Sequence, residues 1–178
     1  MGLTYAEGMS KSKLLKKKNI MVLDKSDEKL EELHQISHFD AFNELEDCVP
    51  KADIIFVAVK PHHAEELFKK INPLATSDQI IISIMAGVTL DAIKDLSGVS
   101  KVVRAMPNLP AKVGLGLTSY VSSPEVSRIE LLTVESLLNT TGKSIQVNNE
   151  NLIDELETMV RQRVAEKQAA EKNLIVSD

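Results

Sequence analysis

Cysteine occurs once in this chain of 178 residues, at Cys48. An internal disulfide is thereby excluded, and the usage fits a reducing compartment. Tryptophan is absent and aromatic residues make up 3%, so the core must be filled by aliphatic side chains. Long apolar runs are missing too. The longest, Ile54 to Val59, has six residues, against the ~20 that a helix needs to cross a bilayer. There is no surplus of positive charge: 21 Lys and Arg stand against 26 Asp and Glu, a net charge of −5. Proteins dedicated to nucleic acid carry a basic face, so neither nucleic acid nor membrane is an expected partner. Lys11 to Lys18 lies within an amphipathic segment rather than ahead of an apolar one, unlike a secretion signal. What is present, 43% hydrophobic and 26% charged residues, is the balance of a globular protein. The expectation is a soluble protein of the cytoplasm.

Apolar spacing predicts a helix over residues 4–18, with Tyr5, Met9, Leu14 and Leu15 on one face. Asn19 to Leu23 reads as a short strand, and Ser26 as the cap of a helix reaching Gln35. The stretch 36–52 reads as irregular, with a short helix at 42–48. Ile54 to Val59, Gln79 to Met85 and Lys101 to Met106 are apolar runs closed by Pro or Gly. Such runs suit strands buried on both faces. Helices are expected at 62–71 and 89–96 between them. Leu117 to Val121 and Ser144 to Val147 read as alternating strands that extend the sheet at an edge. The helix joining them is expected to place Ile129, Leu132, Ser136 and Leu137 on one face. Alternation of this kind specifies an α/β fold, a Rossmann-like doubly wound and mainly parallel sheet. The division expected is a domain over 1–149 and a long C-terminal helix with its tail over 150–178.

In an open parallel sheet, ligands bind in the loops beyond the carboxyl ends of the strands. Those loops are Asp24 to Ser26, Ala58 to Pro61, Met85 to Gly87 and Ala105 to Asn108. Three sequence blocks there carry a resemblance: Ile54 to Pro61 (IIFVAVKP), Ile82 to Val88 (ISIMAGV) and Val102 to Ala111 (VVRAMPNLPA). They resemble pyrroline-5-carboxylate reductase, with Arg104-Ala-Met-Pro-Asn108 the most specific part. The resemblance covers Met1 to about Asp154 and implies a cofactor-binding domain for NADP or NAD. It implies that Gly2 is the last glycine of the phosphate loop, its amide facing the pyrophosphate. Asp24 and Lys25 match an Asp-Arg pair beside the ribose 2′ position, and Asn43 an adenosine-side Asn. Ala58, Val59, Lys60 and Pro61 would pass beneath the dinucleotide. Ala86, Met106, Pro107 and Asn108 would border the nicotinamide. The reaction implied is hydride transfer to a cyclic imine, a small-molecule substrate, giving proline. No residue here is assigned a catalytic role.

The chain departs from the family pattern in two ways. The first strand and most of the Gly-rich loop that precede Gly2 in the family are not in the sequence. Neither is the Ser-Gly-Ser-Gly-Pro signature of the family's second, helical domain. A non-catalytic, truncated or re-engineered Rossmann module with weak or no nucleotide binding is therefore the alternative function. Lys18 to Asp24 (KNIMVLD) and Lys172 to Asp178 (KNLIVSD) echo one another. Leu174 to Val176 is thus a strand candidate for the slot of a missing first strand, weighed against fraying. The C-terminal helix is also the candidate for association between copies. His62-His63 reads as a solvated helix start, not a metal site, because neighbours on a helix point about 100° apart.

Overall fold

A computed structural model describes residues 1–36, 39–156, 158–159 and 162. The first helix, α1 (Gly2–Lys11), packs Tyr5, Ala6 and Met9 inward and leaves its lysine end exposed. Strand β1 (Met21–Leu23) follows, then α2 (Asp27–Gln35), whose cap Ser26 accepts a bond from the Lys29 amide. Next come β2 (Asp40–Phe42), the single-turn α3 (Leu45–Cys48) and β3 (Ile54–Val57). A tight turn at Pro61–His63 leads into α4 (Ala64–Ile71), followed by β4 (Ile80–Ser83), α5 (Leu90–Ser97) and β5 (Val102–Met106). The last elements are β6 (Gly116–Ser122), α6 (Arg128–Leu138) and β7 (Gly142–Gln146). Backbone at 151–156, 158–159 and 162 is helical. The long helix expected to reach Lys172, and the strand candidate Leu174 to Val176, lie outside the described residues.

The strands form two ladders. One holds β1 and β2 in parallel, and the other runs β3-β4-β5-β6-β7. In the second only β5 and β6 are antiparallel, so the sheet is mainly parallel as expected. Within these ladders, β1 and β3 each keep one edge without a strand partner among the described residues. One apolar core nevertheless spans both ladders, gathering Tyr5, Met9 and Ile20 with Ile80, Ile82, Val103 and Tyr120. On the opposite face α4 and α5 bury Phe68, Ile71 and Ile93 against Val57, Ile81 and Val102. No helix among the described residues is long and apolar enough to cross a membrane.

Four expectations require correction. The helix expected over 4–18 ends at Lys11, so Leu14 lies beyond it and is exposed. The stretch 36–52 contains a strand, β2, whose Asp40-Ala-Phe42 is too short and too polar to show a pattern. It forms because Met21 to Leu23 offer it a parallel ladder. Strand β3 ends at Val57, and Ile54, Ile55 and Phe56 are half-buried rather than enclosed. Its unpartnered edge explains the difference, since β4, flanked on both sides, is buried throughout. Helix α6 starts at Arg128, capped by Ser127 with Glu130 returning the bond. It buries Val134, Leu137 and Leu138, whereas Ile129 and Leu132 face outward. Ile129 and Leu132 belong with Ser136 to the outer stripe, and Leu137 to the inner one.

Candidate nucleotide site

Every parallel strand ends in a loop that carries candidate residues. Asp24 and Lys25 follow β1, Asn43 follows β2, and Ala58 to Pro61 follow β3. Ala86 lies three residues beyond β4, while Met106 closes β5 ahead of Pro107 and Asn108. Two contacts show that these ends share one side of the molecule. A Cβ built on Gly2 would come within 2.8 Å of the Ala58 Cβ, so the start of α1 lies directly against the loop after β3. Lys25 reaches Glu66 in the first turn of α4, with Nζ and Oε1 3.4 Å apart.

Local chemistry explains each placement. Gly2 is required by the close approach: any side chain would force α1 away from Ala58. The cap Met1 supplies no side-chain bond to α1, and no acidic residue stands in its first turn. The amides at that end, with the helix dipole behind them, therefore form a surface suited to an anion. Asp24 turns the chain out of β1, its Oδ1 accepting a bond from the Ser26 amide at 3.0 Å. Asn43 and the run Ala58 to Pro61 are exposed. Gly87, at φ +69°, makes the left-handed turn that follows Ala86. Asn108 uses its side-chain oxygen to accept the Leu117 amide at 3.0 Å, pinning the loop after β5 to the start of β6. Pyrophosphate between the start of α1 and the Ala58 loop, and a phosphate or ribose beside Lys25 and Asp24, fit the groups present.

Behind the loop after β5 lies a cluster that the sequence reading did not assign. Arg104, fully buried in β5, pairs with Glu150 at 3.0 Å and with Asp154. Burial pushes its guanidinium pKa down, but bonds to Asp154 and Glu150 outweigh that and leave it raised. Glu150 also accepts the Leu90 amide at 2.9 Å, tying the start of α5 to β5. A basic residue inside an otherwise apolar strand, with acids spaced i and i+4 later in the chain, was the available signal. Tyr120 donates to Glu135, and burial raises the phenol pKa. Cys48 is buried and its thiol is pushed up to about 11, mainly by desolvation, so it is not poised as a nucleophile. His62 and His63 are exposed, their ring centroids 4.0 Å apart and the rings tilted by 52°. No metal-binding group of residues occurs among the described residues.

This arrangement defines a Rossmann-like domain. The family model for "NADP oxidoreductase coenzyme F420-dependent" matches residues 1–87. Pyrroline-5-carboxylate reductase 3 of Xenopus laevis is 34% identical over 130 residues, 72% of this chain and 47% of that protein. A pyrroline-5-carboxylate reductase structure from Coxiella burnetii superposes with a TM-score of 0.83 at 22% identity, covering 99% of this chain and 68% of that one. The Plasmodium falciparum pyrroline carboxylate reductase, solved with NADP bound, gives a TM-score of 0.77 at 25% identity, covering 97% and 66%. In sequence and in fold, the chain is similar to pyrroline-5-carboxylate reductases. It spans about half the length of the curated relatives it matches.

Proposed function

We propose that this chain forms the dinucleotide-binding part of a cytoplasmic pyrroline-5-carboxylate reductase. That enzyme reduces the C=N bond of 1-pyrroline-5-carboxylate to give proline, with NADPH or NADH as reductant. The observation that carries the reading is the approach of Gly2 to Ala58, which brings a helix N-terminus to the carboxyl end of β3. When the dinucleotide is bound, its nicotinamide would supply a hydride to the imine carbon, with a proton taken up at the imine nitrogen. The protein's part is to bind and orient. Gly2 presents its amide to the pyrophosphate, while Asp24 and Lys25 attend the ribose and Asn43 the adenosine. Ala58, Val59, Lys60 and Pro61 pass beneath the dinucleotide. Ala86, Met106, Pro107 and Asn108 border the nicotinamide, Asn108 by fixing its own loop rather than by its side-chain oxygen. Residues 1–149 serve as the nucleotide unit and 150–178 as a segment available for association between copies.

Fluorescence titration with NADPH, followed by turnover with 1-pyrroline-5-carboxylate, tests the reading. Saturable NADPH binding is expected. Lys25→Glu is expected to weaken NADPH more than NADH, because only NADPH presents a 2′-phosphate to that side chain. The absence of binding to either nucleotide would overturn the proposal.

A further inference from the structure

The Lys25–Glu66 contact joins residues 41 positions apart, linking the loop after β1 to the first turn of α4. It therefore ties the two-stranded ladder to the helix that follows β3 of the other, at the end where adenosine is placed in the reading above, on which this inference rests. Glu66 has a second partner on its own helix, Lys70, at 2.7 Å. Both Lys25 and Glu66 are well exposed, with side chains 61% accessible. The carboxyl of Glu66 is held below its ordinary range, first by the bond to Lys70 and then by that to Lys25, so it is charged at neutral pH.

We propose that Glu66 sets the discrimination between NADP and NAD, by competing with the 2′-phosphate for the ammonium of Lys25. One ammonium has three N–H donors, but a 2′-phosphate brought to Lys25 beside the Glu66 carboxylate meets the repulsion of a second anion, which draws Lys25 away from Glu66 when the phosphate binds. Lys70 makes that exchange feasible, because it keeps Glu66 paired after Lys25 has moved. A cofactor with a 2′-hydroxyl makes no such demand and leaves the pair intact. Counting Asp24, Lys25, Glu66 and Lys70, the formal charge around the position is zero. Replacing Glu66 by a neutral isostere raises it to +1 and releases Lys25 without altering the fold, since the side chain is exposed. Glu65, the next residue, pairs with Lys69 at 2.6 Å and makes no contact with Lys25, which provides a matched control.

The experiment is fluorescence titration of the full chain and of Glu66→Gln and Glu65→Gln with NADPH and with NADH, at low and at high salt. For Glu66→Gln, NADPH binding is expected to tighten about two- to fivefold, the range of an exposed ion pair, with NADH unchanged. The gain should shrink as salt screens the exposed charges. Glu65→Gln is expected to leave both affinities in place. Equal changes for both nucleotides, no change for NADPH, or the same gain from Glu65→Gln would overturn the role of Glu66 while leaving the nucleotide site standing. A wild-type chain that binds neither nucleotide would overturn the underlying reading and this inference together.

Discussion

The two ladders differ in how they are held. In the five-stranded sheet, β4 is buried at every position and β5 at all but its last, between α4 and α5 on one face and α1 and α6 on the other. In the two-stranded sheet every residue of β1 and β2 is half-buried. Burial of apolar surface is the main stabilising term, so the first region anchors the fold and the second leans on it through Ile20, Val22 and Ala41, which pack into the same apolar core. The candidate adenosine end, Asp24, Lys25 and Asn43, sits on the weakly held region, and the candidate nicotinamide end on the anchored one. Discrimination between cofactors can thus change on exposed loops without disturbing the core.

Core truncation should separate the regions most sharply. Phe68→Ala removes a fully buried ring from the α4 face and is expected to cost about 3–5 kcal/mol. Val22→Ala, in half-buried β1, is expected to cost about 1 kcal/mol. Urea unfolding of both variants measures this, and equal losses would break the comparison. Next in size is the cluster around Arg104. Removing both partners, as Glu150→Gln with Asp154→Asn, leaves a buried guanidinium without a counter-charge and is expected to cost about 3 kcal/mol or more. Arg104→Met should cost less, because the acids it abandons reach solvent, with side chains 25% and 52% accessible.

Much of the anchored region was legible in the sequence, because Ile80-Ile-Ile82 and Val102-Val103 are apolar runs of the kind that suits a strand enclosed on both faces. The weakly held region was not. Asp40-Ala-Phe42 has no period to read, and it becomes a strand only through its pairing with β1. The loops of the candidate site could be located because strand ends are marked by Pro61, Gly87 and Pro107. Glu66 and the partners of Arg104 could not, since their contacts span 41 to 50 residues. An exposed glutamate on a helix carries no sign of where it points.

Smaller effects refine the same picture. Ser127→Ala removes the cap of α6 and is expected to cost about 1 kcal/mol by thermal or urea unfolding. The smallest effect is one of pH. Glu130 is held down to about 2 by Lys101 first and then by Ser127. A carboxyl with a depressed folded pKa stabilises the fold above its ordinary value of 4.5, and that contribution fades as pH falls towards 2. Glu130→Gln should flatten the acid side of the stability profile over that window, and an unchanged slope would show that the pair contributes nothing.

The central claim is that the strand ends of both regions form one nucleotide site, and amide chemical-shift mapping during titration with NADPH tests it most directly. Saturable shifts are expected at Gly2, Asp24 to Ser26, Asn43, Val59 and Lys60, Ala86 and Gly87, and Asn108, with the helical segment 151–156 unmoved. Shifts confined to that segment, or none at saturating nucleotide, would contradict it.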